Sequence, residues 1–148
     1  MKWEAKDIEQ YLQAKDYVDT AIVPLVPISL ESDIKQIVTK GDFILTLVQE
    51  LERQLKGRIL LLPPFTYLKN SEDNMDKALK KWKDTINYHF KHVIFLTSDE
   101  SWKKEEKEHI IWVPSIPIEH MDTDLKRKLL QDQIEQILNI LLQYWNHS

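Results

Sequence analysis

Four short runs of unbroken apolar character constrain this chain more than anything else in it. They are Thr20-Ala21-Ile22-Val23, Arg58-Ile59-Leu60-Leu61-Leu62, His92-Val93-Ile94-Phe95-Leu96 and His109-Ile110-Ile111-Trp112-Val113. None alternates apolar with polar residues, so none reads as a strand wetted on one face. Continuous apolar runs belong to strands covered on both faces, as in a parallel sheet between helices. The segments between them carry the helical period instead. Ile8, Tyr11 and Leu12 have it over 4–15, and positions 34, 37, 38, 44, 48, 51 and 55 have it over 30–55. Met75, Ala78, Leu79, Trp82, Ile86 and Phe90 form a third apolar face, and Leu125, Leu129, Leu130, Ile134, Ile137, Leu138, Leu141 and Trp145 a fourth. Strands joined through helices of crossover length give right-handed βαβ units. The expected fold is a three-layer α/β/α sandwich with a four-stranded, mainly parallel sheet. The 148 residues suit a single domain, 1–148.

Punctuation sets the expected boundaries. Gly41-Asp42 interrupts the second helical segment, which predicts two helices with Asp42 as N-cap of the second, stopped at Gly57. Ser71-Glu72-Asp73 opens the third helical segment, a short charged helix is expected from about Ser98 to Lys107, and Asp122 or Thr123 caps the last. All six prolines, at 24, 27, 63, 64, 114 and 117, follow apolar runs. Val23-Pro24-Leu25-Val26-Pro27-Ile28 echoes Val113-Pro114-Ser115-Ile116-Pro117-Ile118. Proline has no amide donor for a ladder, so these residues read as strand terminators that stiffen three loops on one edge of the sheet.

Composition removes many functions. A net charge of −4 and a pI near 5.7 give no electrostatic reason to bind nucleic acid or anionic lipid. The lysines at 80, 81 and 83, and those at 103, 104 and 107, read as solvated helix faces. No apolar run approaches the ~20 residues of a membrane helix. The first seven residues contain no apolar stretch of the kind a secretion signal needs, so the expected address is the cytoplasm. Without cysteine there is no disulfide, thiolate metal site or thiol nucleophile. Two glycines, Gly41 and Gly57, cannot build a Gly-x-Gly-x-x-Gly turn or a P-loop. Ser29, Ser98 and Ser115 follow strands but lack the Gly-x-Ser-x-Gly setting of a nucleophile elbow.

What remains is a rim past the carboxyl strand ends. Among the five histidines only His120 is expected there, beside Glu119 and close to Asp122 and Asp124; His89 reads as part of a helix's buried face, His92 and His109 open strands, and His147 lies in the tail. Glu31, Asp33, Asp42, Asp99 and Glu100 supply carboxylates of the kind that, with one imidazole, hold a divalent ion. The same residue types are expected at helix entrances for capping alone, and no metal or cofactor is assigned. Phe65, Tyr67 and Trp102 add aromatic surface to the rim, while Trp112 sits inside a strand and reads as core. The candidate ligand-rim residues are therefore Glu31, Asp42, Phe65, Tyr67, Asp99, Trp102, Glu119 and His120.

Tyr17-Val18-Asp19-Thr20-Ala21 leading into Pro24, and then Leu62-Pro63-Pro64-Phe65-Thr66-Tyr67, resemble the small, uncharacterised YpiF family of bacilli, and the resemblance runs the length of the chain. That family carries no established activity. The layout from Ala21 to Ser98 is also similar to the amino-terminal half of creatininase-type metal amidohydrolases. That resemblance implies a helix begun by an aspartate ligand, here Asp42, and a Leu-Pro-Pro strand end, here Leu62-Pro63-Pro64. The family's Glu-Gln-His-Gly ligands are replaced by Ile28-Ser29-Leu30-Glu31-Ser32-Asp33, and its Asn-Gly-His loop by Thr97-Ser98-Asp99-Glu100. The resemblance therefore implies the scaffold without the site.

The functional expectation is a non-catalytic cytosolic domain acting through protein–protein or small-ligand contacts. The alternative is a divergent metal-dependent, amidohydrolase-like enzyme using Asp42, Asp99, Glu119 and His120. Ile140, Leu142 and Tyr144 widen the apolar stripe of the last helix, which makes that helix the expected surface for a homo-oligomer or protein partner.

Overall fold

The structure, a computed structural model, describes residues 1–69, 75–103 and 109–147. In chain order the elements are α1 (Ala5–Gln13), β1 (Thr20–Ile28), α2 (Ile34–Gln54), β2 (Ile59–Leu61), β3 (Phe65–Leu68), α3 (Met75–Asn87), β4 (His92–Thr97), a 3-10 turn (Glu100–Trp102), β5 (Ile110–Trp112) and α4 (Thr123–Asn146). The strand order is β2-β1-β4-β5, with β3 also pairing β1, and every strand pair is parallel.

Strand alternation sorts the core into two faces. Ile22, Ile59, Leu61, Ile94, Leu96, Ile111 and Val113 pack against Phe43, Ile44, Leu47, Val48 and Leu51 of α2 and against Leu130, Ile134, Ile137 and Leu141 of α4. Val23, Leu25, Phe65, Tyr67, Val93 and Phe95 face the other way, toward Leu79 and Trp82 of α3 and toward Trp102. Ala21 and Leu60 complete that second face under α1, where Tyr11 stacks on Phe90 with centroids 5.6 Å apart. These are the three expected layers.

Four boundaries differ from the sequence expectation, each for a local reason. β1 does not stop at its prolines. Pro24 falls where the β2 pairing has ended at Ile22 and the β3 pairing begins at Leu25, while Pro27 lies beyond the last β4 pair, Pro24↔Leu96. Proline is tolerated there because one side of the strand is without a paired neighbour. The segment after Pro63-Pro64 is a further strand, β3, which continues along β1 from Leu25↔Phe65 to Ile28↔Leu68. The sheet thus has five strands in the four expected positions: Pro63 and Pro64 follow β2 and lead into β3, Pro114 and Pro117 follow β5, and only Pro24 and Pro27 lie within a strand.

α2 is one helix, not two. A Cβ built on Gly41 would lie 3.3 Å from Val26 Cγ1, so this glycine marks close helix–strand approach instead of a break. Asp42 is accordingly an exposed mid-helix residue and caps nothing. Of the charged segment from Ser98 to Lys107, the described part is a 3-10 turn; residues 104–108 lie outside the described residues, as does the Ser71-Glu72-Asp73 opening of α3.

α4 begins as expected: Asp122 Oδ1 accepts the Leu125 amide at 2.9 Å. Its apolar stripe is narrower in effect than the sequence implies, because Ile140 and Tyr144 pack partly buried against the α2-side core and only Leu142 of the three stands exposed. Its last turn is held at the amino end of the sheet, where Trp145 Nε1 donates to Thr20 Oγ1 at 2.8 Å and the Arg58 guanidinium lies 3.8 Å above the Trp145 ring.

Candidate functional site

The chain leaves β1 for β2 on one side and leaves β4 for β5 on the other, so the direction of winding reverses between β1 and β4. Doubly wound folds open a crevice at such a point, beyond the carboxyl ends of the two strands, and bind ligands there. In this chain the α3 side of that crevice is filled by its own side chains. Tyr67, on the buried face of β3, donates its hydroxyl proton to Asp99 Oδ2 at 2.5 Å and accepts the Trp102 indole N–H at 2.7 Å. The indole stands edge-on to the phenol, at 88° with centroids 5.8 Å apart. Phe65 extends the cluster, 6.0 Å from Tyr67 and 5.0 Å edge-on to Trp82.

The loop after β4 is shaped to present Asp99. Thr97 Oγ1 donates to the Leu25 carbonyl at 3.4 Å and accepts the Asp99 amide at 3.0 Å. Asp99 Oδ1 then caps the 3-10 turn by accepting the Ser101 amide at 3.1 Å, and Lys69 Nζ lies 3.7 Å from the same oxygen. Asp99 is only 1% exposed. Burial pushes its carboxyl up, but the Tyr67 hydroxyl, the Ser101 donors and the Lys69 ammonium outweigh this and hold it below the ordinary aspartate value. Tyr67 moves the opposite way: burial first, and then the hydrogen bond to an anion, raise its hydroxyl far above the ordinary tyrosine value. The pair is a fixed carboxylate and a neutral phenol.

Four of the eight sequence candidates thus converge: Phe65, Tyr67, Asp99 and Trp102. The other four do not join them. Asp42 lies on the exposed face of α2, away from any helix start, which departs from the creatininase-type layout. Glu31 is exposed in the loop before α2. Glu119 and His120 are both exposed, with His120 Nε2 lying 3.9 Å from Glu119 Oε1. Among the described residues no group of three or more histidines, aspartates or glutamates is placed to hold a metal ion. Sequence reasoning missed Thr97 and Lys69, which complete the Asp99 environment. Thr97-Ser98-Asp99 did carry a signal for the first, since a hydroxyl residue two before an aspartate is a common loop lock. Elsewhere, a groove of about 890 Å3 lies between α2 and the start of α4, lined by residues including Glu50, Arg53, Arg127 and Gln131.

Exposed apolar side chains gather near the same end of the sheet. Ile28 and Leu68 are register partners on one face, and Leu30, 81% exposed, follows Ile28 toward Ile34 and Val38 on the first turns of α2. No helix among the described residues is long and apolar enough to cross a membrane.

Comparison with known proteins gives two matches. A family profile described as a protein of unknown function, DUF2487, covers residues 9–145. The chain is also 46% identical over 147 residues to an uncharacterized protein, YpiF, of Bacillus subtilis (strain 168), with 99% of each chain covered. No solved structure matches.

Proposed function

The chain belongs to the DUF2487 family of proteins of unknown function, and we propose that it is a non-catalytic cytoplasmic domain that acts through contacts at the carboxyl end of its sheet. The observation that carries this reading is the Tyr67–Asp99–Trp102 cluster. A catalytic acid, base or nucleophile needs a lone pair or proton turned toward a substrate. Here the Tyr67 hydroxyl donates to Asp99 and accepts from Trp102, and both carboxylate oxygens of Asp99 accept from the chain itself. The cluster works as a buttress that holds the loops after β3 and β4. The apolar side chains of Ile28, Leu30, Ile34, Val38 and Leu68 support a contact role for the surface beside it. The outer face of α4 has weaker support, because Ile140 and Tyr144 are drawn into the core.

Quantitative affinity capture from cytosol, comparing wild type with a Leu30→Glu/Leu68→Glu variant, tests the contact surface. A partner, or a second copy, held by wild type and lost by the folded variant is the expected result. Equal recovery by both removes this surface. Amide hydrolysis by the purified chain in the presence of zinc or manganese, abolished by Asp99→Asn, would overturn the non-catalytic reading itself.

A further inference from the structure

The edge of the sheet formed by β2 and β3 is covered along its first half and bare along its second. These two strands lie end to end beside β1, separated by Pro63 and Pro64. Against β2 the chain places its own first residues: Leu61 donates its amide to the Met1 carbonyl at 2.8 Å, and Lys2 bridges Leu61 in parallel. That run then leaves the edge for α1, which begins at Ala5. Which groups of β3 face outward follows from one bond. Lys69 donates its amide to the Ile28 carbonyl at 2.8 Å, so it faces β1. Backbone groups alternate along a strand, so Phe65 and Tyr67 face β1 as well, and the N–H and C=O of Thr66 and Leu68 point outward. Both residues are exposed, Leu68 to 61%, and neither outward amide has a partner among the described residues.

Native folds blunt such an edge with a charge, a proline or a bulge, because bare strand groups recruit further backbone. Here Lys69, the charge at the end of β3, is turned inward to Asp99 at 3.7 Å, and 65–68 contain neither a charge nor a proline. The spacing of the outward groups selects the strand that fits. Thr66 and Leu68 stand symmetrically about Tyr67. A two-fold axis through Tyr67 therefore places Thr66 of each copy opposite Leu68 of the other, and each such couple exchanges a pair of N–H···O=C bonds. Phe65 and Tyr67 point into the α3-side core, so the Thr66 and Leu68 side chains share the opposite face. There Leu68 meets the threonine methyl of its counterpart, beside its own register partner Ile28. The two Lys69 residues fall at opposite ends of the pair, whereas an in-register parallel pairing would set these like charges side by side.

We propose that β3 is a self-association edge, which pairs antiparallel with β3 of a second copy of this chain about Tyr67. The inference rests on the contact role given above and names the partner at that surface. A four-residue strand buries too little for a permanent dimer, so the association is reversible and depends on concentration.

The test uses the full chain in two measurements. Sedimentation velocity from about 5 to about 500 µM should show the mass rising from one chain toward two. Amide hydrogen exchange of the wild type should show Thr66 and Leu68 slow at the concentrated end and fast at the dilute end, with Tyr67 and Lys69 slow at both. Thr66→Pro removes an outward donor that serves no bond within the chain, so β3 keeps its place beside β1. It should raise the dissociation constant about a hundredfold and leave the melting temperature of the dilute chain unchanged. A one-chain mass throughout, with Thr66 and Leu68 exchanging fast at every concentration, would overturn the proposal. So would a dimer that persists in the folded Thr66→Pro variant. If that variant melts low, the exchange pattern of the wild type decides. A monomer that still loses a different protein on Leu30→Glu/Leu68→Glu would overturn the second copy as partner and leave the contact role standing.

Discussion

The two ends of the sheet are fastened by different physics. At the carboxyl end a buried carboxylate, a neutral phenol and an indole tie β3, β4 and the turn after β4 together. At the amino end the cluster around Arg58 and Trp145 lies closer to the surface. Asp19 accepts from Thr20 Oγ1 at 2.8 Å and pairs with Arg58 at 3.4 Å, and Arg58 in turn covers Trp145. Both clusters join several elements, yet Asp99 is buried and Arg58 is 44% exposed. A charge-assisted bond away from water keeps most of its strength, whereas a surface pair loses most of it to solvent. The carboxyl end should therefore be the rigid one, a fitting base for a contact surface.

The largest effect should come from breaking the buried end. Asp99→Ala leaves the Tyr67 hydroxyl without its acceptor, the Lys69 ammonium without its partner and the Ser101 amide uncapped. We expect a loss of about 3 kcal/mol, measured by urea denaturation. A loss below about 1 kcal/mol would mean that water replaces the carboxylate easily and that the buttress is not closed.

Trp145→Ala should rank second. It removes a partly buried ring, its bond to Thr20 and the platform under Arg58. Thr20 keeps its bond to Asp19, so no buried hydroxyl is orphaned. We expect about 2 kcal/mol, with faster amide exchange confined to the last turn of α4. Exchange that rises instead through β1 and β4 would make the amino end the stronger fastening and reverse the comparison.

How much of this was legible in the sequence follows the same division between local and long-range causes. The layers and the parallel sheet follow from unbroken apolar runs, because covering both faces of a strand leaves no polar positions. The unity of α2 was not legible: Gly41 reads as a break until Val26 is seen 3.3 Å from where its Cβ would be. Pro24 and Pro27 likewise read as stops, because the sequence does not reveal which side of β1 lacks a neighbour at each position. For the site, Phe65, Tyr67, Asp99 and Trp102 were legible as rim residues by their place after strands. Their burial into one hydrogen-bonded unit was not, since it depends on β3 lying along β1. Glu119 and His120 do follow β5, and Asp42 reads as an N-cap until α2 proves continuous, but place in the sequence does not say which way a side chain turns.

Arg58→Lys should cost less, about 0.5 kcal/mol, because a lysine keeps the charge near Asp19 but gives up the planar contact with Trp145. The loss should shrink further at high salt, while the Asp99→Ala effect should barely change. Equal salt dependence of the two would show that the burial contrast between the ends does not govern their strength.

The smallest effect separates the two ends by pH. His92, which opens β4, has its pKa lowered from the ordinary 6.5, chiefly by burial, with Lys91 and Arg58 acting in the same direction and Asp19 opposing. A depressed value means that the unfolded chain binds more protons than the fold just below pH 6.5, so this histidine's contribution is complete above that value and is lost as pH falls through the folded value. Asp99 obeys the same sign in a lower window: its contribution holds above the ordinary 3.8 and fades only as pH drops below it, through the lowered folded value. Acidification should therefore loosen the amino end first and the buttress last. Denaturation midpoints measured from pH 7.5 to 3 should show a shallow fall beginning near 6.5, and His92→Gln should flatten that part while leaving the steeper fall below 3.8 in place. If His92→Gln leaves the shallow part unchanged, the amino end contributes no titrating group of its own and differs from the carboxyl end in exposure alone.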